Sequence, residues 1–142
     1  MSFLLDTCVL SDLVSKRPNP GVGRWIDGLD SEQIYLSVIT VGEIEKGIAK
    51  LPESRRRKAL TSWLQDELLV RFRDHILPLD LAIVRRWGRL NAGLEKIGAP
   101  MPAVDSLLAA TALHHDMTFV TRNLDDFERS GVEILNPWTS GS

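Results

Sequence analysis

No stretch of this 142-residue chain stays apolar for the roughly 20 residues that a membrane-crossing helix needs. The opening MSFLLDTCVL has no basic residues ahead of its apolar stretch, so neither insertion nor export is expected, and a cytoplasmic protein is. One cysteine, Cys8, excludes an internal disulfide and agrees with a reducing compartment. A net charge of −2 gives no general attraction for phosphate backbones, so contact with nucleic acid has to come from local basic clusters or from a bound cation. Several familiar catalytic signatures are also missing: no Gly-x-Ser-x-Gly elbow, no Gly-x-x-x-x-Gly-Lys phosphate loop and no Cys/His zinc spacing. There is no repeat, low-complexity tract or linker. With 44% hydrophobic and 25% charged residues, the composition is that of a folded domain, and the length suits one domain over residues 1–142.

What the chain does have is an alternation of strand-like and helix-like segments. Phe3, Leu4 and Leu5 form a short apolar run ending at Asp6, and Val9, Leu10, Leu13 and Val14 follow at helical spacing until Pro18 and Pro20 interrupt them. Asn19 and Pro20 suit the cap and first turn of a second helix through Trp25, Ile26 and Leu29. Ile34, Leu36 and Val38 alternate as a strand, after which Thr40 opens a helix with Val41, Ile44 and Ile48. Pro52 starts a longer amphipathic helix through Leu60, Trp63, Leu64 and Leu68, ahead of a brief strand at Ile76 and Leu77. Asp80 caps a helix that ends near Gly98, Pro102 precedes an apolar helix from Ala103 to His114, and strands follow at 117–121 and 132–135. This order predicts an α/β fold with a doubly wound parallel sheet, whose site lies beyond the carboxyl ends of the strands.

Acidic residues fall where such a sheet could gather them: Asp6 after the first strand, Glu43, Asp105 and the cluster Asn123, Asp125 and Asp126. Buried carboxylates are costly unless something cationic joins them, and a divalent metal is the natural candidate. Each residue also has an ordinary structural reading. Asp6 can cap the helix that follows it, Thr40 and Glu43 have the spacing of a capping box, and Asp105 can be a first-turn acid favoured by the helix dipole.

Four segments together resemble the PIN-domain endoribonucleases, and within them the toxins of VapBC and FitAB type toxin–antitoxin pairs: LLDTCVLSDL, SVITVGEIEKGI, MPAVDSLLAATAL and FVTRNLDDFERSGVEILNPW. They occur in the family's order from residue 3 to residue 138. The resemblance implies a three-layer α/β/α sandwich with a central parallel sheet, and RNA cleavage dependent on Mg²⁺ or Mn²⁺. Carried over position by position, it assigns the family's first three acidic sites to Asp6, Glu43 and Asp105, as metal-binding and catalytic residues. The fourth falls on Asn123, whose amide can ligate a metal but brings no charge. Asp125 and Asp126 stand close enough in sequence to compensate, although Asp126 before Phe127 reads equally as a helix-start residue. Where the family often has Asn, this chain has Cys8, read as a small packing residue. The chemistry agrees with the transfer, because a hard cation with oxygen ligands both activates water and neutralises charge developing on a phosphate. The resemblance also implies a homodimer and an antitoxin partner that blocks the acidic cleft with its tail and carries the contact with operator DNA.

Lys46, one turn after Glu43, is a candidate to meet a phosphate, with an intrahelical pair to Glu43 or Glu45 as its alternative. The runs 55–58 and 85–89 read as solvated faces, and the four tryptophans as core or subunit interface. His75 reads as structural or exposed, and Asp12, Asp116 and Glu128 as solvent-facing. Two other classes share the pattern: a phosphoryl-handling α/β enzyme, which lacks its Asp-x-Asp signature here because residue 8 is Cys, and a non-catalytic or DNA-associated PIN-like binding module.

Overall fold

In the computed structural model, which describes residues 1–140, the sheet follows directly from the period-two pattern of its strands. The last two residues of the expected 1–142 span lie outside the described residues. Strand β1 (Phe3–Leu5) is buried throughout; Phe3 and Leu5 join the apolar cluster on one face of the sheet while Leu4 joins the other. Strand β2 (Ile34–Ser37) repeats this, with Ile34 and Leu36 on the first face and Tyr35 on the second. In β4 (Thr118–Val120), Val120 and Phe119 divide in the same way. Two short strands, β3 (Ile76–Leu77) and β5 (Ile134–Leu135), complete a five-stranded sheet, parallel throughout, in the order β3-β2-β1-β4-β5. Strands buried on both faces read as apolar runs, as Phe3–Leu5 does, because helices cover both sides.

Helices α1 (Thr7–Leu13), α2 (Pro20–Asp27) and α3 (Val38–Ala49) precede α4 (Arg55–Ser62), which runs on through a π-helical segment (Trp63–Leu68) into α5 (Leu69–Arg71). Then come α6 (Leu81–Lys96), α7 (Ala103–His114), α8 (Leu124–Phe127) and α9 (Pro137–Ser140). The expected caps are in place: Asn19 Oδ1 accepts from the Gly21 and Val22 amides, and Asp80 Oδ1 from that of Ile83. Among the described residues, no helix is long and apolar enough to cross a membrane.

Three expectations need correction. Helix α3 opens at Val38 and not at Thr40, because Ser37 caps it by accepting the Ile39 amide at 3.0 Å; Val38, expected in the strand, is helical and exposed. Thr40 therefore sits inside the helix, fully buried, and its hydroxyl has no hydrogen-bond partner among the described residues, so it forms no capping box with Glu43. The helix expected from Pro52 begins at Arg55, where Ser54 Oγ accepts the Arg57 amide. Asp12 is half-buried and not free in solvent, since its carboxylate accepts the Asn19 amide at 3.0 Å and fixes the α1–α2 turn.

The tryptophans serve the core of this chain. Trp25 meets Phe3 edge-on with ring centroids 5.2 Å apart, Trp63 packs against the first cluster, and Trp87 Nε1 donates to Ser106 Oγ, tying α6 to α7. The guanidinium of Arg122 lies 5.0 Å from the centre of the Trp138 ring. His75 is structural: its ring stacks on Tyr35, and its Nδ1 lies 2.9 Å from the Ile34 carbonyl.

Candidate active site

Sheet order determines where a site can form. From β1 the chain moves outward to β2 and β3, then returns across the sheet to place β4 on the other side of β1. Strand order reverses there, and in open α/β sheets the crevice beyond the carboxyl ends at such a point receives the ligand. Asp6 closes β1 at that crevice, and its amide donates to the Val120 carbonyl across the junction at 2.9 Å. Helix α3 follows β2 and α7 precedes β4, so in a parallel sheet the amino ends of both helices lie at the same edge, bringing in Glu43 and Asp105.

Asp6 is only 7% exposed and is held by three neighbours. Oδ1 accepts the Thr7 amide and Oδ2 accepts the Thr121 hydroxyl, both at 2.8 Å, while the Cys8 thiol donates to Oδ2 at 3.7 Å. It caps α1, as one reading proposed, and still faces Glu43: burial raises its pKa, the threonine contacts oppose the rise, and the Glu43 charge adds to it. Cys8 is more than packing, since it also lies 3.6 Å from Thr121 Oγ1; burial and the Asp6 charge push its pKa up and keep it a thiol.

Glu43, half-buried on α3, accepts the Thr7 hydroxyl at 2.8 Å. The residue after the first aspartate thus joins the first and second acidic positions: its amide binds Asp6 and its hydroxyl binds Glu43. Sequence reasoning missed Thr7 and Thr121, although a hydroxyl next to each assigned segment was the signal available.

Asp105 has a different setting. It lies half-buried in the first turn of α7 and accepts no hydrogen bond from any described residue. Burial raises its pKa most, followed by repulsion from Asp126, Asp6 and Glu43, with Arg129 pulling the other way. Asp105 thus lies within electrostatic reach of Asp6, Glu43 and Asp126. Asn123 is exposed at the start of α8, its amide donating to Thr121 Oγ1 at 3.0 Å and its side chain capping nothing. Of the three acidic neighbours felt by Asp105, the strongest is Asp126.

The carboxylates do not meet at a point: among the described residues, no three His, Cys, Asp or Glu side chains are drawn together as an ion-holding group. Mg²⁺ keeps several of its waters and is usually held through one or two carboxylates, so it does not need such a group. The side chains available are hard oxygen donors, and Asp105 accepts no hydrogen bond from a described residue. Two depressions flank Glu43. One, of about 180 Å³, lies between α1, α3 and α4, with Val14, Ile48, Leu60 and Trp63 in its wall and Arg56 among its lining residues. The other, of about 350 Å³, lies between α3 and Val104 of α7.

Residues 3–132 match the family model described as PIN domain. The chain belongs to the PIN-domain family. It is 37% identical over 136 residues to the VapC ribonuclease Y4jK of Sinorhizobium fredii, covering 96% of this chain and 97% of that protein. It is 35% identical to the toxin FitB of Neisseria gonorrhoeae, covering 96% and 98% respectively. The solved FitAcB structure from Neisseria gonorrhoeae superposes with a TM-score of 0.91 at 34% identity, covering 96% of this chain and 99% of that one. A structure of FitAB bound to a DNA fragment matches with the same TM-score. The three-layer sandwich with a parallel sheet is thus the PIN fold, and the acidic positions described above lie within the matched residues.

Proposed function

We propose that this PIN-domain protein is an endoribonuclease, the toxin of a type II toxin–antitoxin pair, hydrolysing RNA phosphodiester bonds with the help of Mg²⁺ or Mn²⁺. One observation carries the reading: at the switch point of the sheet Asp6 is buried and held by Thr7 and Thr121, the Thr7 hydroxyl ties it to Glu43, and Asp105 lies within electrostatic reach of both. Such a concentration of negative charge is unfavourable unless a cation joins it. Similarity over nearly the whole length to a VapC ribonuclease and to the FitB toxin supports the same reading.

Asp6, Glu43 and Asp105 would hold the ion, with Asp126 a better fourth carboxylate than Asn123. A divalent ion bound there supplies a water activated near neutral pH and a counter-charge for the phosphate. Thr121 and Thr7 fix the rotamers of Asp6 and Glu43, so those carboxylates need little reorganisation to receive it. Asn123 keeps the β4–α8 turn in place through its amide while its side chain faces solvent.

The partners follow from the same reading: RNA as substrate, a small antitoxin whose tail blocks the acidic cleft, operator DNA reached only through that antitoxin, and a homodimer in a cytoplasmic setting. The solved relatives include complexes titled FitAB and VapBC, among them ones bound to DNA. The deciding experiment is 5′-end mapping of cellular RNA after induced expression, beside cleavage of RNA in vitro with Mg²⁺, with Mn²⁺ and with excess EDTA. Discrete new 5′ ends that vanish with EDTA are expected; cleavage that persists in EDTA overturns the mechanism. Sedimentation of the purified chain at micromolar concentration without antitoxin tests the dimer, and a monomer mass refutes it.

A further inference from the structure

Besides Ile39, five residues of α3 and its cap line the second depression: Gly42, Glu43, Lys46, Gly47 and Lys50. They occupy positions i, i+1, i+4, i+5 and i+8, which form one continuous helix face. Glu43 belongs to the acidic crevice, so this face leads away from it without interruption. The ammonium groups of Lys46 and Lys50 are exposed and form no ion pair with any described residue, Glu43 and Glu45 included. The helix dipole favours lysines at this carboxyl end but does not account for the two glycines. A Cβ built at Gly42 or Gly47 meets nothing within 4 Å, so packing inside this chain does not require either, although both weaken the helix relative to alanine. The opposite wall is Val104, 40% exposed on α7 one residue before Asp105.

We propose that the groove between α3 and Val104 is the path of the RNA strand flanking the cleaved bond, with Lys46 and Lys50 each contacting a backbone phosphate. This rests on the ribonuclease reading above. An acidic crevice repels the very polymer it must cut, and a net charge of −2 supplies no compensating field. A basic pair beginning one turn from Glu43 lies near enough to counter that repulsion. The low floor at Gly42 and Gly47 lets a sugar–phosphate chain approach the helix backbone, and Val104 offers an apolar wall for a ribose or a base. Lys46 and Lys50 are positioning residues and take no part in bond breaking.

The test is anisotropy of a fluorescein-labelled single-stranded RNA over a salt series in EDTA, where binding is read without cleavage. Lys46→Gln/Lys50→Gln is expected to weaken binding several-fold and to reduce the slope of log Kd against log salt by roughly 1.4, about 0.7 for each phosphate contact on a single strand. The equally exposed pair Arg85→Gln/Arg86→Gln on α6 is expected to leave both unchanged. With Mg²⁺, the lysine variant should raise KM and leave kcat near the parent value. Gly47→Ala should raise Tm, and Gly47→Leu, which fills the groove, should weaken binding in a folded protein. An unchanged salt slope and KM in the lysine variant, with RNA still cut by the parent protein, overturns the proposal and leaves the ribonuclease reading standing. A variant that binds RNA normally but loses capture of its antitoxin overturns it equally. A parent protein that neither binds nor cuts RNA removes both.

Discussion

The two halves of the crevice are built on opposite principles. On the β1 side, Asp6 and Glu43 are fixed by hydroxyl and amide donors from Thr7 and Thr121. On the α7 side, Asp105 has no such donor among the described residues and feels more like charge than Arg129 offsets. Hydrogen bonds to a carboxylate favour its charged form, whereas desolvation and repulsion disfavour it, so one half is pre-set and the other only weakly compensated. The contrast suggests a division of labour in which the β1 side positions the cation and the α7 side gains most from it.

The largest expected effect strikes both halves alike. Asp6→Asn or Asp105→Asn should abolish RNA cleavage and growth inhibition with the fold intact by circular dichroism, because the amide keeps the volume but loses the charge that holds a cation. In the same variants the melting-temperature gain from Mg²⁺ or Mn²⁺ should disappear. In the parent, metal at about 100 times its Kd should add roughly 2.7 kcal/mol of stability. No gain in the parent with millimolar metal would count against the site.

Next come the donors. Thr121→Val should cost about 1.5–3 kcal/mol, the range for a hydrogen bond to a charged group, and weaken metal affinity by roughly 10–100-fold. Thr7→Val should cost less, because Glu43 is only half-buried and can turn to solvent. Equal costs, measured by urea unfolding, would erase the distinction between a buried and an exposed acceptor. Glu43→Gln separates two roles in one residue: the amide oxygen still accepts from Thr7, so stability should change little while metal-dependent cleavage falls.

The smallest effect is in pH. The folded pKa of both Asp6 and Asp105 lies above the ordinary 3.8, so the native chain binds their protons more tightly than the unfolded chain does. Stability in EDTA should therefore decline as pH rises from about that value through the raised ones, opposite to a salt-bridged aspartate. Asp105→Asn should flatten that decline and raise Tm at neutral pH, and saturating Mg²⁺ should flatten it in the parent. Asn123→Asp adds charge on an exposed turn and should tighten metal binding slightly; a large gain would show that residue 123, rather than 126, completes the site.

Much of this was legible in the chain itself. The apolar run Phe3–Leu5 and the caps at Asn19 and Asp80 depend on neighbours within a few residues, so the elements and their order could be read locally. The start of α3 was misread because Ser37 and Thr40 are equally good cap residues, and only the end of β2 decides between them. The roles of Thr7, Thr121 and Cys8 were not legible, since nothing in a hydroxyl's sequence neighbourhood says which carboxylate it will meet 36 or 115 positions away. The hydroxyl under the Asn123 amide was hidden for the same reason: only the turn after β4 brings Thr121 Oγ1 to it.

Sequence by itself determined the alternating elements and the places of Asp6 at the end of β1, Glu43 in α3 and Asp105 in α7, because these follow from local periodicity. The tertiary structure alone decided that Asp6 is locked and Asp105 is not, that Glu43 answers to Thr7 and not to Thr40, and that Lys46 and Lys50 line a groove leading from the crevice. Those are facts of distance and burial, and they exist only once the sheet order 3-2-1-4-5 brings remote segments to one edge.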